Sequence, residues 1–360
     1  MLVREFDFDL PPELIAQVPA PDRGDARLLH LSTSTGAVTH AWISSLPGLL
    51  RPGDLLVVND TRVFPARLLG RRVPTGGAVE CLLVGLGSEW GQTPLRPHSD
   101  PSEVWEALMH PGQKLKPGAR VVFEGSATLH GEVLERRYFG RRLIRLWTDD
   151  GSSVQQAVDR IGHVPLPPYI RRSDSAADHE RYQTMFARER GSVAAPTAGL
   201  HFSAALLDAL GARGVEMTRI TLHVGYGTFQ PVRVAHVEDH RLDPERYEIA
   251  QDAAVAVNQA LDQGRRVVAV GTTTTRTLEA VAREHAGRLV AGGGWTELFI
   301  YPGFEFRVIQ GLLTNFHLPQ SSLLMLVSAL AGPERVLEAY RRAIAERYRF
   351  YSYGDAMLIV

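Results

Sequence analysis

The segment between Phe64 and Asp150 most constrains the fold, because it contains short β-type runs and little helical periodicity. Turn sequences such as TGG, KPG and DDG separate the runs. The six runs are ARLLGRRV, AVECLLVGL, EVWEALM, ARVVFE, ATLHGEVLE and RRLIRLW. Short strands that follow one another through such turns are typical of a small barrel. The sequence therefore predicts a small antiparallel β-barrel domain of about six strands, inserted as residues 64–151.

The chain on either side of this segment alternates strands with helices. RPGDLLVVNDTRV contains a continuous apolar run, as expected for a parallel strand that is buried on both faces. Further strands are predicted at VEMTRITLHV, RRVVAVG and TELFI, and helices at SSVQQAVDRI, SAALLDALGARG, AQDAAVAVNQALDQG, TRTLEAVAREH and SSLLMLVSALAG. This order predicts an α/β domain with an open, largely parallel sheet and flanking helices, formed by residues 1–63 and 152–360.

Composition excludes several classes of site. Cys81 is the only cysteine among 360 residues, which excludes a disulfide framework and a Cys-rich zinc site. Lys114 and Lys116 are the only lysines and lie in the turn-like GQKLKPG, which argues against a Schiff-base lysine and a phosphate-loop lysine. The sequence has no dinucleotide fingerprint, nucleophile elbow or Walker loop. The acidic N-terminus and the lack of any 18-residue apolar run lead us to expect a cytoplasmic protein.

Polar residues collect where four of the predicted strands or loops end. In open α/β sheets, ligands bind outside the carboxyl ends of the parallel strands. Each junction taken singly is an ordinary cap or turn, but together they favour one ligand site. The candidates are Asn59, Asp60 and Arg62 in VVNDTR, Tyr226 and Thr228 in TLHVGYGTF, Thr272, Thr273 and Arg276 in VVAVGTTTTRT, and Asn315, His317 and Ser321 in LLTNFHLPQSS.

The segment APTAGLHF, residues 195–202, places a hydroxyl and an imidazole on a Pro/Gly-bent segment that cannot form a regular helix. Its polar residues are Thr197 and His201. With His223 and His317, this makes three histidines at strand or loop ends. Each alone is most simply a satisfied core residue, whereas three together favour proton exchange near neutral pH. The sequence HVEDH lacks the glutamate and the third ligand of a zinc site, so no metal is expected.

Arginine doublets recur along a chain whose net charge is only −1. The simplest interpretation is a solvated surface with an arginine bias. Arginine also binds phosphate through two parallel hydrogen bonds, so the doublets remain candidate RNA contacts. The candidate tRNA-binding residues are Arg71, Arg72, Arg141, Arg142, Arg171 and Arg172.

Several long blocks of the sequence resemble one family over nearly the whole chain. They include FDFDLPPELIAQVPAPDR, GHVPLPPYIRR, ERYQTMFARERGSVAAPTAGLHFS, LHVGYGTFQPV, LLTNFHLPQSSLLMLVSALAG and FYSYGDAMLI. In these blocks the chain resembles the bacterial S-adenosylmethionine:tRNA ribosyltransferase-isomerases of queuosine biosynthesis. It departs from the family pattern at Thr274 and Thr275, where the family usually has Ser-Val, and at Gln320, where a lysine is usual.

The resemblance implies an enzyme that uses S-adenosylmethionine as a substrate, with no further cofactor and no metal. It implies transfer of the ribosyl part to 7-aminomethyl-7-deazaguanine at the tRNA wobble position, giving epoxyqueuosine and releasing adenine and methionine. Within that chemistry His201 is the first acid/base candidate, followed by His223 and His317. Asp60 and Asp355 are candidates for orienting a histidine or binding ribose hydroxyls.

Further roles follow from the same resemblance. Arg62 and Arg276 suit a methionine carboxylate or a phosphate. The aromatic candidates for stacking on a splayed wobble base are Tyr169, Tyr226, Phe229, Phe316 and Tyr353. A monomer that binds tRNA and no membrane is expected. Two alternatives stay open: a different nucleoside-modifying transferase on the same scaffold, and a non-catalytic RNA-binding protein.

Overall fold

The computed structural model describes residues 1–86, 102–229 and 231–360. Its strands are β1 (Arg27–Leu31), β2 (Val38–Trp42), β3 (Leu55–Asn59), β4 (Thr61–Val63), β5 (Arg67–Val73), β6 (Ala78–Leu86), β7 (Glu103–His110), β8 (Arg120–Glu124), β9 (Thr128–Arg136), β10 (Arg141–Trp147), β11 (Glu189–Ser192), β12 (Glu216–Leu222), β13 (Glu245–Ile249), β14 (Val267–Val270), β15 (Gly292–Thr296), β16 (Gly311–Asn315) and β17 (Ala356–Ile359). Its α-helices are α1 (Leu46–Leu49), α2 (Val154–Ile161), α3 (Asp178–Arg181), α4 (Ala204–Ala212), α5 (Gln251–Asp262), α6 (Thr272–Glu284), α7 (Ser322–Ala331) and α8 (Pro333–Ala345).

The chain divides into two compact units. One comprises residues 1–62, 167–172 and 181–360, and the other residues 63–166 and 173–180. Among the described residues, no helix is both long enough and apolar enough to span a membrane.

The smaller unit contains a closed barrel in the strand order β10-β7-β6-β5-β8-β9. The paired strands are antiparallel throughout. Alternate residues face inward, so Val79, Cys81 and Leu83 of β6 are buried while their neighbours are partly exposed. The six predicted barrel strands are confirmed.

The larger unit contains a nine-stranded sheet in the order β15-β13-β12-β3-β14-β16-β17-β1-β2. Strands β12, β3, β14 and β16 run parallel to one another, and β1 runs parallel to β17. The pairs β15–β13, β13–β12, β16–β17 and β1–β2 are antiparallel. The predicted α/β fold with an added barrel is confirmed, and its large sheet is a mixed sheet with a parallel centre.

The continuous apolar run of β3 is buried from both sides of this sheet. Leu55 and Val57 pack into the cluster that contains α5, α6, α7 and α8 residues, whereas Leu56 and Val58 pack into the cluster that contains α4. Successive side chains of a strand point to opposite faces, so helices on both faces require an apolar residue at every position.

Two element boundaries differ from the sequence prediction. The strand predicted at TELFI is wrong for residues 297–300: β15 instead comprises Gly292–Thr296, which pair with β13. Glycines weaken a strand signal, and here they allow close approach, because a Cβ on Gly294 would lie 2.6 Å from the Tyr247 hydroxyl. Helix α6 begins at Thr272, earlier than predicted. The hydroxyls of Thr274 and Thr275 donate to the carbonyls four residues back, at 2.8 and 3.2 Å, which accommodates threonines in its first turn.

Candidate active site

A cleft opens in the larger unit where the parallel neighbours β14 and β16 end. Its empty space, with the open mouth included, is about 530 Å³. Residues from the predicted junctions after β14 and β16 line it, together with residues of the APTAGLHF segment, which forms a short 3₁₀ helix over Thr197–His201. The polar and aromatic residues of the lining are Thr197, Thr272, Thr273, Thr314, Asn315, His317, Ser352, Tyr169, Phe316 and Tyr351.

Helix α6 presents its N-terminus to this cleft. Gly271 precedes the helix with a φ of 91°, in the region that favours glycine, and no side chain caps the helix. The first N–H groups of a helix have no partner within it, and the helix dipole makes this end attractive to anions. Together with the hydroxyls of Thr272 and Thr273, the helix end offers hydrogen-bond donors to a carboxylate or another oxygen-rich group.

His317 brings an imidazole to the lining. Its Nε2 lies 3.0 Å from the hydroxyl of Thr314, and its backbone N–H donates to the Tyr340 hydroxyl at 3.1 Å. Burial lowers the pKa of His317 to about 3. Before reaction the ring is therefore neutral at neutral pH, so it can accept a proton.

His201 lies behind the wall of the cleft, separated from it by Asn315. The Asn315 amide nitrogen lies 3.2 Å from His201 Nε2 and donates to the Tyr351 carbonyl at 3.1 Å. His201 and Tyr353 line a smaller adjoining cavity, which also contains Arg23. Burial, followed by the charge of Arg23, lowers the pKa of His201 to about 4.

His223 is held by a hydroxyl network and is not part of the cleft lining. Its Nδ1 lies 2.9 Å from the Thr61 hydroxyl, which lies 2.8 Å from the Ser192 hydroxyl. Its ring packs so closely on Gly191 that an added Cβ would lie 2.6 Å from Nδ1. Burial, followed by the charge of Arg246, lowers the pKa of His223 to about 4.

Asp60 faces a different cavity of the larger unit, which it lines with Arg188, Glu189 and Arg219. The Thr221 hydroxyl donates to its carboxylate at 2.7 Å. Burial raises the pKa of Asp60 more than this hydrogen bond lowers it. Asp60 and His317 thus line separate cavities.

Arg276 is engaged by protein groups and does not line the cleft. It forms a buried ion pair with Glu245, and its Nε donates to the Leu298 carbonyl at 2.8 Å. Glu245 also accepts the backbone N–H of Gly225 at 2.8 Å, next to the 3₁₀ helix that begins at Tyr226. The side chain of Thr228 lies outside the described part of the structure.

Ser321 and Asp355 have structural partners. The Ser321 hydroxyl accepts the N–H of Leu324 at 3.2 Å and so caps helix α7. The Asp355 carboxylate accepts the backbone N–H groups of Arg27 and Arg349 at 2.9 and 2.7 Å. Neither side chain lines the cleft.

Asn59 and Arg62 also lie off the cleft lining. The Asn59 amide donates to the Leu222 carbonyl at 2.9 Å and lies 3.4 Å from the Thr273 hydroxyl, so it joins the end of β3 to the helix end in the cleft. Arg62 is exposed on β4.

The comparisons with known proteins point to one family. A family model described as "Queuosine biosynthesis protein" matches residues 3–359. The chain is 49% identical to the S-adenosylmethionine:tRNA ribosyltransferase-isomerase of Desulfitobacterium hafniense and 50% identical to that of Symbiobacterium thermophilum, each over 360 residues and 100% of both chains.

The chain belongs to the queuosine biosynthesis protein family. The resemblance drawn from the sequence blocks is thereby confirmed. The crystal structure of the S-adenosylmethionine tRNA ribosyltransferase from Thermotoga maritima is similar in fold and sequence. It matches with a TM-score of 0.54 and 35% identity, covering 99% of this chain and 100% of that one.

The predicted tRNA-binding arginines of this family member differ in accessibility. Arg71 is exposed and pairs with Glu124 at 2.9 Å, and Arg141 pairs with Glu106 at 3.2 Å. Arg142 is only 1% exposed, and its guanidinium donates to backbone carbonyls, among them that of Leu115 at 3.0 Å. Arg142 therefore holds barrel loops together and does not present its guanidinium to an RNA.

The other three predicted tRNA-binding arginines are at least partly accessible. Arg72 is partly buried on strand β5, and Arg171 is exposed next to Arg172. Arg172 donates through Nε to the Gln17 carbonyl at 2.9 Å.

The sequence predicted two rings of the cleft's aromatic wall, Tyr169 and Phe316, and missed the third, Tyr351. Tyr169 and Tyr351 meet edge to face there, and the Tyr169 hydroxyl hydrogen-bonds Ser352. Tyr351 has a φ of 76°, which is uncommon for a bulky residue and is found where surrounding structure holds the backbone in place. The only sequence signal for Tyr351 was that FYSYGDAMLI is among the blocks that carry the family resemblance.

Among the described residues, no group of three or more His, Cys, Asp or Glu side chains is placed to hold a metal ion.

Proposed function

We propose that this protein is an S-adenosylmethionine:tRNA ribosyltransferase-isomerase. The observation that carries the proposal is its match, over the full length of both chains, to relatives with that name at about half identity. The protein transfers the ribosyl part of S-adenosylmethionine to 7-aminomethyl-7-deazaguanine in tRNA and isomerises it, so that adenine and methionine leave. It is then a transferase of queuosine biosynthesis.

The cleft at the ends of β14 and β16 is the proposed site for S-adenosylmethionine. The uncapped N-terminus of α6 suits the methionine carboxylate, because its N–H groups and dipole favour a negative group. The rings of Tyr169, Phe316 and Tyr351 supply apolar surface for a nucleobase. The helix end and the aromatic rings line the same cleft, as a substrate with a carboxylate at one end and a nucleobase at the other requires.

His317 is the proposed proton acceptor of this cleft. The sulfonium acidifies the adjacent 5′ carbon, so a neutral base beside it can remove a proton. The imidazole is neutral at neutral pH, because burial holds its pKa near 3. Once protonated, it can return that proton to a ring nitrogen of the departing adenine. Asp60 and His223, which follow the ends of β3 and β12, remain predicted catalytic residues.

The tRNA is proposed to be held through arginines and to present a splayed wobble base. Exposed Arg71 and Arg171 are the better candidates for phosphate contacts, and buried Arg142 is the weakest. The proposed domain limits are those predicted from the sequence, with a barrel domain of residues 64–151 inserted into an α/β domain. A cytoplasmic monomer that needs no metal or further cofactor is part of the same proposal.

The test is an adenine-release assay with the purified protein. S-adenosylmethionine is incubated with tRNA carrying the aminomethyl-deazaguanine, with tRNA lacking it, and with the free modified base. Adenine formed only with the modified tRNA supports the proposal. Adenine formed with the free base alone supports a different nucleoside-modifying transferase. Binding of tRNA without any adenine release would indicate a non-catalytic RNA-binding protein.

A control variant links the assay to the cleft. His317→Ala should lower the rate of adenine release by about 10²–10⁴-fold, the usual contribution of a positioned base. His236→Ala, at an exposed position outside the cleft lining, should keep the rate of the wild type. Equal rates for the wild type and His317→Ala would remove His317 from the mechanism.

A further inference from the structure

The side-chain amide of Asn315 has hydrogen-bond partners for its nitrogen and, among the described residues, none for its oxygen. Asn315 ends strand β16, is 2% exposed and lines the cleft. Its amide nitrogen has two partners, the Tyr351 carbonyl and His201 Nε2. Its amide oxygen is buried and has no hydrogen-bond partner among the described residues. A buried acceptor without a donor costs free energy, which a ligand donor would recover.

The orientation of this amide follows from its partners. A peptide carbonyl can only accept, so the atom 3.1 Å from the Tyr351 oxygen must be the amide nitrogen. A flipped amide would place two oxygens against each other there. The second hydrogen of the same nitrogen is then directed to His201 Nε2, which must accept it. His201 therefore carries its own hydrogen on Nδ1, and the Asn315 oxygen is the atom left for a ligand.

The surroundings of Asn315 indicate what kind of donor it meets. Phe316, Tyr351 and Tyr169 line the same cleft, and these rings favour a flat aromatic ligand. Among the described residues that line the cleft, none is Asp, Glu, Lys or Arg. A neutral N–H at the edge of a nucleobase combines a flat ring with a hydrogen-bond donor.

We propose that the Asn315 amide oxygen accepts a hydrogen bond from an N–H group on the edge of a purine-type base, and that His201 is a positioning residue that holds this amide. The inference rests on the proposed function and deepens it. Both proposed substrates carry such an edge: the exocyclic amine of adenine in S-adenosylmethionine, and the N–H groups of the deazaguanine in tRNA. His201 acts through Asn315 and does not touch the reacting atoms.

The first test needs no variant. The wild type is compared on S-adenosylmethionine and on the analogue whose adenine amine is dimethylated, which has no N–H to donate. A site built to bond that amine should disfavour the analogue about tenfold or more in kcat/KM. Asn315→Ala should show a much smaller preference. Calorimetric binding of the two compounds repeats the comparison without turnover, so an inactive wild type would count against the proposed function alone.

A second comparison tests whether the N–H group that meets Asn315 belongs to the deazaguanine of the tRNA. If the deazaguanine edge meets Asn315, the wild type treats the two sulfonium compounds alike. Asn315→Ala then raises the KM for modified tRNA about tenfold while leaving the binding of S-adenosylmethionine unchanged. Either pattern supports the proposed hydrogen bond. No preference between the sulfonium compounds, together with an unchanged KM for tRNA in Asn315→Ala, overturns it.

The positioning role of His201 is tested by a pair of substitutions. His201→Leu removes the acceptor for the Asn315 amide and should lower kcat/KM about tenfold. His201→Gln offers a side-chain oxygen in place of Nε2 and should recover most of this loss. A residue that exchanged protons with substrate would lose about 10²–10⁴-fold in kcat with either substitution. An equally large loss of kcat in both variants, with unchanged substrate binding, would overturn the positioning role.

Discussion

Acidification to pH 5 should destabilise this protein through two buried histidines that fold in the neutral form. Burial lowers the pKa of His201 to about 4 and that of His317 to about 3, from 6.5. Between the folded and unfolded values, the unfolded chain binds a proton at each site and the folded chain does not. The free energy of unfolding therefore rises with pH in this window and falls as the pH drops below about 6.5.

The magnitude follows from the distance between the assay pH and the unfolded pKa. The assay at pH 5 lies about 1.5 pH units below the unfolded pKa and above both folded values. Each histidine therefore lowers the free energy of unfolding by about 2 kcal/mol at this pH. The two sites together cost about 4 kcal/mol, a large share of the roughly 5–15 kcal/mol that stabilises a typical folded protein. Below pH 4 the contribution of His201 levels off, whereas that of His317 continues to fall.

The assay is urea unfolding followed by circular dichroism at pH 7 and pH 5. His201→Gln removes one titrating site, and its loss of stability between the two pH values should be about 2 kcal/mol smaller than that of the wild type. His236→Gln, which changes an exposed histidine, is the matched control and should behave as the wild type. Carboxylates add their own pH dependence, but they are common to all three proteins and cancel in the comparison.

Two results would refute this reasoning. One is the same pH dependence of stability in the wild type and His201→Gln. The other is an imidazole carbon NMR signal of the folded protein that titrates near pH 6.5 and disappears in His201→Gln. Either would mean that solvent reaches the ring, so that burial does not control its protonation.

Two further substitutions test buried charged groups that the sequence did not single out as structural. Glu279→Ala should lower the free energy of unfolding by about 3 kcal/mol in urea titrations, because the Glu279 carboxylate accepts the N–H groups of residues 307–309 at 2.8–3.0 Å. Glu279→Gln keeps one acceptor oxygen and should lower the free energy of unfolding by less. Arg142→Met should lower barrel stability by about 2–4 kcal/mol and leave the salt dependence of tRNA binding unchanged. A log–log slope whose magnitude falls by about 0.7 would instead show a lost phosphate contact.

The elements that the sequence predicts well are those whose signal is local. The barrel strands β5 to β10 are short β-type runs separated by turn residues, so their positions follow from the chain itself. Strand β15 was misplaced because three glycines carry no strand preference of their own. Its pairing depends on β13, a distant strand, and on the close approach of Tyr247 to Gly294. Tertiary pairing, not local preference, forms that edge of the sheet.

The candidate site divides in the same way. Thr197, Thr272 and His317 were predicted together because each follows a strand end or lies in a bent segment, and the structure places all three in one lining. The sequence could not show on which side of the wall His201 lies, since one intervening amide decides it. Tyr351 was missed because its contact with Tyr169 depends on two segments far apart in the chain.

The absence of formal charge from the described lining of the cleft bears on how it would treat a sulfonium. Burial lowers the pKa of His317 to about 3, so its ring is uncharged at neutral pH. Arg276 forms an ion pair with Glu245 and does not line the cleft. The positive end of the α6 dipole attracts a carboxylate and repels a cation, so it would orient the methionine end inward and keep the sulfonium at a distance. In such a low-dielectric setting the substrate's own positive charge is poorly screened. We therefore expect the sulfonium to acidify its neighbouring carbon more strongly than in water, which lets a base as weak as neutral His317 serve.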